Sequence, residues 1–380
     1  MNIPVNYFFE IINIAYALMM LSILKKYFKI TDIPFLILLV HFLIIFMTNY
    51  VLFPPSYMGD QFTYFNASLF SRNGIETIDK FIPSVFVASK LFSYFPIPII
   101  NSIFSLSIIN FIIYVILYIF LKNNNIFTRF SEYFFLIYPS LALYSALALR
   151  DLMVLFFMIL FFYFLLSKKN YLLSILSIIP LIWLKNQNAL ILIISLLLYI
   201  ILNIKKYNRF VIFLIIISSI GTFILFQRYF NLQNINGLRF YFYYVENPER
   251  ISEFYPINSW IELFVFSFFS FFTFVLEPLP WKAGSLLQLF QSLENLIIII
   301  IIISCLRQNR GSILRKEKIL LVLFLVFSFL IYGLIIINAG TAARYRFPFI
   351  VAFIIFYSYI GKNKDQLSIV SIPSLINDLS

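Results

Sequence analysis

Asp60 is the first residue whose type and setting can do chemistry. It follows Phe53-Pro54-Pro55-Ser56-Tyr57-Met58-Gly59 at the edge of an apolar run. The two prolines end the preceding helix. A carboxylate beside a flexible glycine can take a proton from an approaching hydroxyl as a general base. The same carboxylate can equally cap the helix that follows.

Cations stand at further corners. Arg150-Asp151 sits between two short apolar runs with almost no loop, where two charges are costly unless paired or used. Asp151 can cap the next helix while Arg150 reaches lipid headgroups. Lys185 opens the polar corner Lys185-Asn186-Gln187-Asn188, where it can meet a phosphate or simply turn the chain. Arg228, Arg239 and Arg250 lie among Tyr241, Tyr243, Tyr244 and Tyr255, aromatic rings that suit a sugar face or a membrane interface. Lys282 closes Glu277-Pro278-Leu279-Pro280-Trp281-Lys282, a stiff corner with two prolines. Arg344 and Arg346 follow the small residues Ala339-Gly340-Thr341-Ala342-Ala343 and precede a helix expected to begin at Phe347-Pro348. Guanidinium forks hold pyrophosphate oxygens in bidentate fashion better than lysine does; two arginines at a span end also serve as headgroup anchors.

Other chemistries are excluded by composition. His41 is the single histidine and lies within an apolar run, so it reads as a buried, hydrogen-bonded ring rather than part of a metal site or relay. Cys305 stands alone, which leaves no disulfide framework and no cysteine cluster. There is no phosphate-binding glycine loop, no dinucleotide turn and no Ser-His-Asp arrangement. No cofactor is evident, and nothing in the sequence supports a divalent metal.

The elements that must position these residues are membrane helices. The 380 residues are 62% hydrophobic and only 12% charged, well outside the range of soluble domains. We expect an all-α polytopic membrane protein forming a single transmembrane domain over 1–380. Spans are expected near 4–24, 33–53, 97–121, 133–149, 152–167, 171–184, 189–204, 210–226, 285–306, 319–337 and 347–361, about 11 in number (10–12). Several fall short of the ~20 residues a full crossing needs. The first, from Pro4 to Leu24, lacks a basic leader and a cleavage site and reads as a retained helix.

The formal charge of +12 comes from 28 basic residues spread between apolar runs, not gathered on one face, so no nucleic-acid partner is expected. The basic groups Lys25-Lys26-Lys29, Lys122 with Arg129, Lys168-Lys169, Lys205-Lys206-Arg209, Arg307 to Lys318, and Lys362 with Lys364 fall in short loops on alternate sides. The positive-inside rule puts them in the cytoplasm, with the N-terminus outside and the C-terminus inside. Two long outer loops result, 54–96 and 227–284, each expected to carry an interfacial helix. Residues 84–95 fit one such helix. Residues 259–276 are apolar enough to cross, yet crossing there would put the Arg307–Lys318 group outside; a re-entrant or interfacial helix removes the conflict. The heavy Ile, Phe, Asn and Lys usage is that of an AT-rich genome, and the expected location is a bacterial inner membrane.

Four short motifs in this layout carry a resemblance: Gly59-Asp60 with Tyr64, the stretch from Tyr138-Pro139 to Arg150-Asp151, Pro278-Leu279-Pro280-Trp281, and Arg344-Tyr345-Arg346-Phe347-Pro348. With the chain length and helix number, their order resembles the bacterial GT-C glycosyltransferases, O-antigen and capsule polymerases most of all. The resemblance implies a transferase that takes a polyprenyl-pyrophosphate-linked saccharide donor and a saccharide acceptor among membrane lipids. It maps Asp60 onto the acidic residue of the first outer loop and makes Arg150, Asp151, Lys185, Arg239, Arg250, Lys282, Arg344 and Arg346 the residues that surround the pyrophosphate. The sequence departs from many O-antigen polymerases, which have an Arg followed eleven positions later by Gly. Here Arg228, Arg239 and Arg250 are followed at that spacing by Arg239, Arg250 and Ile261. The competing reading is a lipid-linked oligosaccharide flippase or another transporter, which would ordinarily show two similar halves and charges at mid-membrane.

Overall fold

The computed structural model describes residues 7–52, 59–75, 81–203, 221, 224, 231–246, 254–308, 315–336 and 338–370. It is helical throughout, with no strand among the described residues. The chain divides into two compact units, one ending at Asn186 and the other beginning at Gln187.

The first unit holds α1 (Tyr7–Tyr27), α2 (Asp32–Phe46), α3 (Asp60–Arg72), α4 (Pro83–Tyr94), α5 (Ile103–Asn123), α6 (Arg129–Ile137), α7 (Pro139–Ser145), α8 (Asp151–Phe162) and α9 (Tyr171–Leu184). Helix α2 runs into a π-helical segment, Met47–Leu52, and α8 into another, Tyr163–Ser167. Helix α5 is the axis of this unit, with 83% of its apolar window buried. Ser102 caps its start in a reciprocal box with Ser105 and also bonds the Glu10 carboxylate of α1. Asn13 of α1 holds Ile99 through both its backbone groups, at 2.8 and 3.3 Å. Farther along α5, Tyr114 stacks between His41 (4.8 Å) and Phe135 (4.9 Å). His41 is therefore a packed core ring.

The second unit holds most of α10 (Asn186–Asn203), then α11 (Leu232–Glu246), α12 (Trp260–Leu276), α13 (Leu286–Gln308), α14 (Lys316–Gly333) and α15 (Ala339–Val370). Its most enclosed helix is α15, 83% buried over its apolar stretch, whereas α13, the more apolar of the two, is buried over only 22%. Tyr332 of α14 donates to Asn188 of α10.

Five of these helices are long and apolar enough to cross a membrane, over Asp32–Asn49, Ile103–Asn123, Asn186–Asn203, Leu286–Arg307 and Gly340–Lys362. Asp151–Ser167, Tyr171–Leu184 and Trp260–Leu276 are shorter apolar helices. Two expectations from sequence change. The single span over 133–149 is broken twice: at Pro139, because proline cannot donate to the preceding turn, and again after Ser145. The last helix starts at Ala339 rather than at Phe347. Asn338 caps it by accepting from the Gly340 N–H at 2.9 Å, and Pro348 is absorbed inside the helix. The span expected at 210–226 lies outside the described residues apart from 221 and 224.

Helices α12 and α14 meet backbone to backbone. A Cβ placed on Gly333 would stand 2.6 Å from the Ser270 carbonyl oxygen and 2.9 Å from its carbon. Neither can swing aside as a side-chain end could. Gly333→Ala should therefore destabilise the second unit by about 1–3 kcal/mol. Thermal unfolding of the detergent-solubilised protein checks this, and a melting temperature equal to wild type would show that the helices do not meet there.

Candidate functional site

In the first unit the site grows out of a break in a helix. Ala146, Leu147, Ala148 and Leu149 are buried and not helical, so their backbone groups need partners from elsewhere in the protein. Side-chain amides provide them. Asn110, in the middle of α5, donates to the carbonyls of Leu147 (2.6 Å) and Leu149 (2.7 Å). Asn49, in the π-helical segment after α2, donates to the Ala146 carbonyl at 3.0 Å. Gln61 of α3 accepts from the Ala148 N–H at 2.9 Å.

The Gln61 bond matters because its neighbour is Asp60. The buried amide fixes the first turn of α3 against the broken segment, while Asp60 itself stays exposed. Arg150 follows Leu149 directly. Its Nε and Nη1 are buried and have no hydrogen-bond partner among the described residues. Arg150 is also the residue before α8 and supplies no side-chain cap to it. Unused guanidinium donors beside the N-terminal end of a helix favour an anion.

Asp151 and Lys185 have a different arrangement. Their side chains, 0% and 5% exposed, form an ion pair of 3.2 Å between the start of α8 and the residue ending α9. In so buried a place each charge is tolerable because of the other. Asp60 and Arg150 thus stand one and two residues from the two ends of the Gln61–Ala148 bond, and Asp151, next to Arg150, is engaged with Lys185.

In the second unit, Arg346 is buried and closes the end of α12. Its Nη1 donates to the carbonyls of Phe274 (2.6 Å) and Val275 (2.7 Å), and its Nη2 to Asn295 Oδ1 (2.5 Å). Asn295 of α13 in turn donates to the carbonyls of Leu276 (3.4 Å) and Glu277 (3.0 Å). The last carbonyls of α12, which no helical N–H can reach, are all taken up by these two side chains. Arg344, two residues before Arg346 on α15, is also buried, its guanidinium 5.7 Å from the Tyr345 ring. Lys282 pairs with Glu277 at 3.4 Å and stays largely exposed.

Arg239 of α11 is 5% exposed and lies against the rings of Phe266 (4.4 Å) and Phe254 (5.4 Å). Its Nη1 donates to Asn236 Oδ1 and to the Tyr255 carbonyl, both at 3.1 Å. Burial pushes its pKa down, and the Glu262 carboxylate opposes that. Arg239 lines a half-open cavity of about 240 Å³ together with Phe266, Phe269, Ser270, Thr273 and Glu277. Arg250 lies outside the described residues. Among the described residues no group of three or more His, Cys, Asp and Glu side chains is placed to hold a metal ion.

Sequence reasoning missed Asn49, Gln61, Asn110 and Asn295, the amides that hold this geometry. The signal was present for three of them, since an Asn inside an apolar run is costly unless something nearby accepts its hydrogen bonds. The polar stripe Ser270, Thr273 and Glu277 on α12 was legible from its helical spacing in the same way. Compared with known proteins, the chain matches no family model, no curated protein and no solved structure.

The Asp151–Lys185 pair gives a test of the corner. Lys185→Met takes the ion-pair cation from a buried carboxylate and should cost about 3–5 kcal/mol, whereas Asp151→Leu with Lys185→Met should recover most of that loss. Unfolding midpoints of the two single variants and the double variant measure the coupling, and simple additivity would show that the charges do not meet.

Proposed function

We propose that the chain is a polytopic membrane glycosyltransferase of the GT-C kind. It extends a polysaccharide on the outer face of a bacterial inner membrane, as an O-antigen or capsule repeat-unit polymerase does. The observation that supports this most is the corner where Arg150 keeps two buried, unpartnered guanidinium nitrogens beside the exposed Asp60 turn.

In this reading the donor is a saccharide on polyprenyl pyrophosphate. The acceptor hydroxyl oxygen attacks the anomeric carbon, and the bond from that carbon to the pyrophosphate oxygen breaks. The electron pair leaves with the pyrophosphate, whose growing charge Arg150 stabilises together with the start of α8. Asp60 takes the proton that the hydroxyl loses. Lys185 holds Asp151 and so keeps the start of α8 in place.

The same reading has about eleven crossings, with the N-terminus outside and the C-terminus in the cytoplasm. Helix α12 is then re-entrant. Its 17 residues rise roughly 25 Å, less than the ~30 Å hydrocarbon core. A helix that ends within the membrane needs its last carbonyls capped by protein, which Arg346 and Asn295 do.

Glycan profiling in a strain lacking the protein tests the proposal. Deletion should leave surface polysaccharide as single repeat units, and wild type should restore long chains. Asp60→Asn should lower polymer formation by about 10²–10⁴-fold, and Arg150→Ala by about 10²–10³-fold, both at wild-type membrane levels. Loss of one sugar from an otherwise long polymer would make the protein a side-branch transferase. Unchanged polysaccharide would sink the transferase reading, and repeat units trapped on the cytoplasmic side would point to a flippase.

A further inference from the structure

A half-open cavity lies beside Arg239. It is a groove along one stripe of α12 and its cap, from Phe266 to Glu277, eleven residue steps that rise roughly 16 Å along the helix axis. Arg239 stands at the Phe266 end, its guanidinium 4.4 Å from that ring. Beyond it the walls are mostly apolar, with Phe269 and Phe274 on one side and Leu334 and Ile336 on the other. Phe269 is 64% exposed and belongs also to a wider exposed face of α12 that carries Phe264, Phe268 and Phe272.

We propose that this groove seats one anionic phospholipid, with its phosphodiester on Arg239, one acyl chain along Phe269, Phe274, Leu334 and Ile336, and the second chain on the exposed face of α12. Three observations favour this occupant. A half-buried slot holding one cation and a long apolar wall fits an amphiphile with its charge at one end. Phe269 belongs both to the groove and to an exposed aromatic face of α12, on which an acyl chain would pack. Arg239 is the only guanidinium among the groove's described residues, and Glu277 shares the groove. The Glu262 carboxylate acts on Arg239, and one cation beside a carboxylate suits a singly charged phosphodiester better than a pyrophosphate, whose further charge Glu262 would repel. The proposal is independent of the catalytic reading, which rests on residues of the first unit.

The full-length protein, delipidated in detergent, can be offered phosphatidylglycerol, phosphatidylcholine or a polyprenyl pyrophosphate and examined by native mass spectrometry. Wild type should retain one phosphatidylglycerol and bind it about tenfold more tightly than phosphatidylcholine, the size of effect one charge-assisted contact gives. Arg239→Gln should abolish that preference, and Arg239→Lys should keep part of it. Ala342→Phe, which narrows the groove, should weaken retention of both phospholipids without touching the cation, and it decides the matter should Arg239→Gln not fold. Equal retention of the two phospholipids by wild type would overturn the proposal, as would an Arg239→Gln variant that keeps the preference. Displacement of phosphatidylglycerol by an equal amount of the polyprenyl pyrophosphate would assign the groove to that lipid instead, and displacement by millimolar inorganic phosphate would reduce it to a simple anion site.

Discussion

The carbonyls of Leu147 and Leu149 lie buried in a unit made of apolar helices, and both are bonded by one side chain, Asn110. A bilayer offers no water to a broken helix, so irregular backbone persists there only where the protein itself supplies the missing partners. Asn110, Asn49 and Gln61 supply them. Arg150 emerges beside the exposed Asp60 turn because that break is held open. With Leu in place of Asn110 the segment would have to become helical or carry two unsatisfied carbonyls.

The same requirement shapes the second unit at the end of α12. Arg346 and Asn295, from two different helices, satisfy four successive carbonyls there. The guanidinium fork that makes arginine a good pyrophosphate ligand also makes it a good helix terminator, since parallel donors meet carbonyls as readily as phosphate oxygens. Gly333 completes the arrangement by letting α14 touch the α12 backbone at Ser270, and the groove beside Arg239 is bounded by that contact.

Charge in this protein is thus sorted by burial. Asp151 and Lys185 are enclosed and paired. Arg346 is enclosed and bonded to neutral acceptors. Arg239 is enclosed with two neutral acceptors and aromatic faces. Glu277 and Lys282 are paired in a more open place, where an ion pair contributes little. Asp60 stays exposed at the start of α3.

Composition and hydropathy alone determined that the chain is helical and apolar enough for a membrane, because the pattern of apolar runs is a local property that needs no knowledge of neighbours. They also marked Asp60, Arg150 and Lys185 as residues at helix ends, which proline, charge and span length encode directly. Hydropathy did not separate α5 from α13, which are nearly equally apolar, although one is an enclosed axis and the other is mostly exposed. Lipid and protein interior are equally apolar solvents, so burial among helices leaves no trace in hydropathy. Nor did sequence pair Asp151 with Lys185 rather than with its neighbour Arg150, or turn Arg346 toward the end of α12. Those outcomes depend on which helix ends meet in space, and only the tertiary structure decides that.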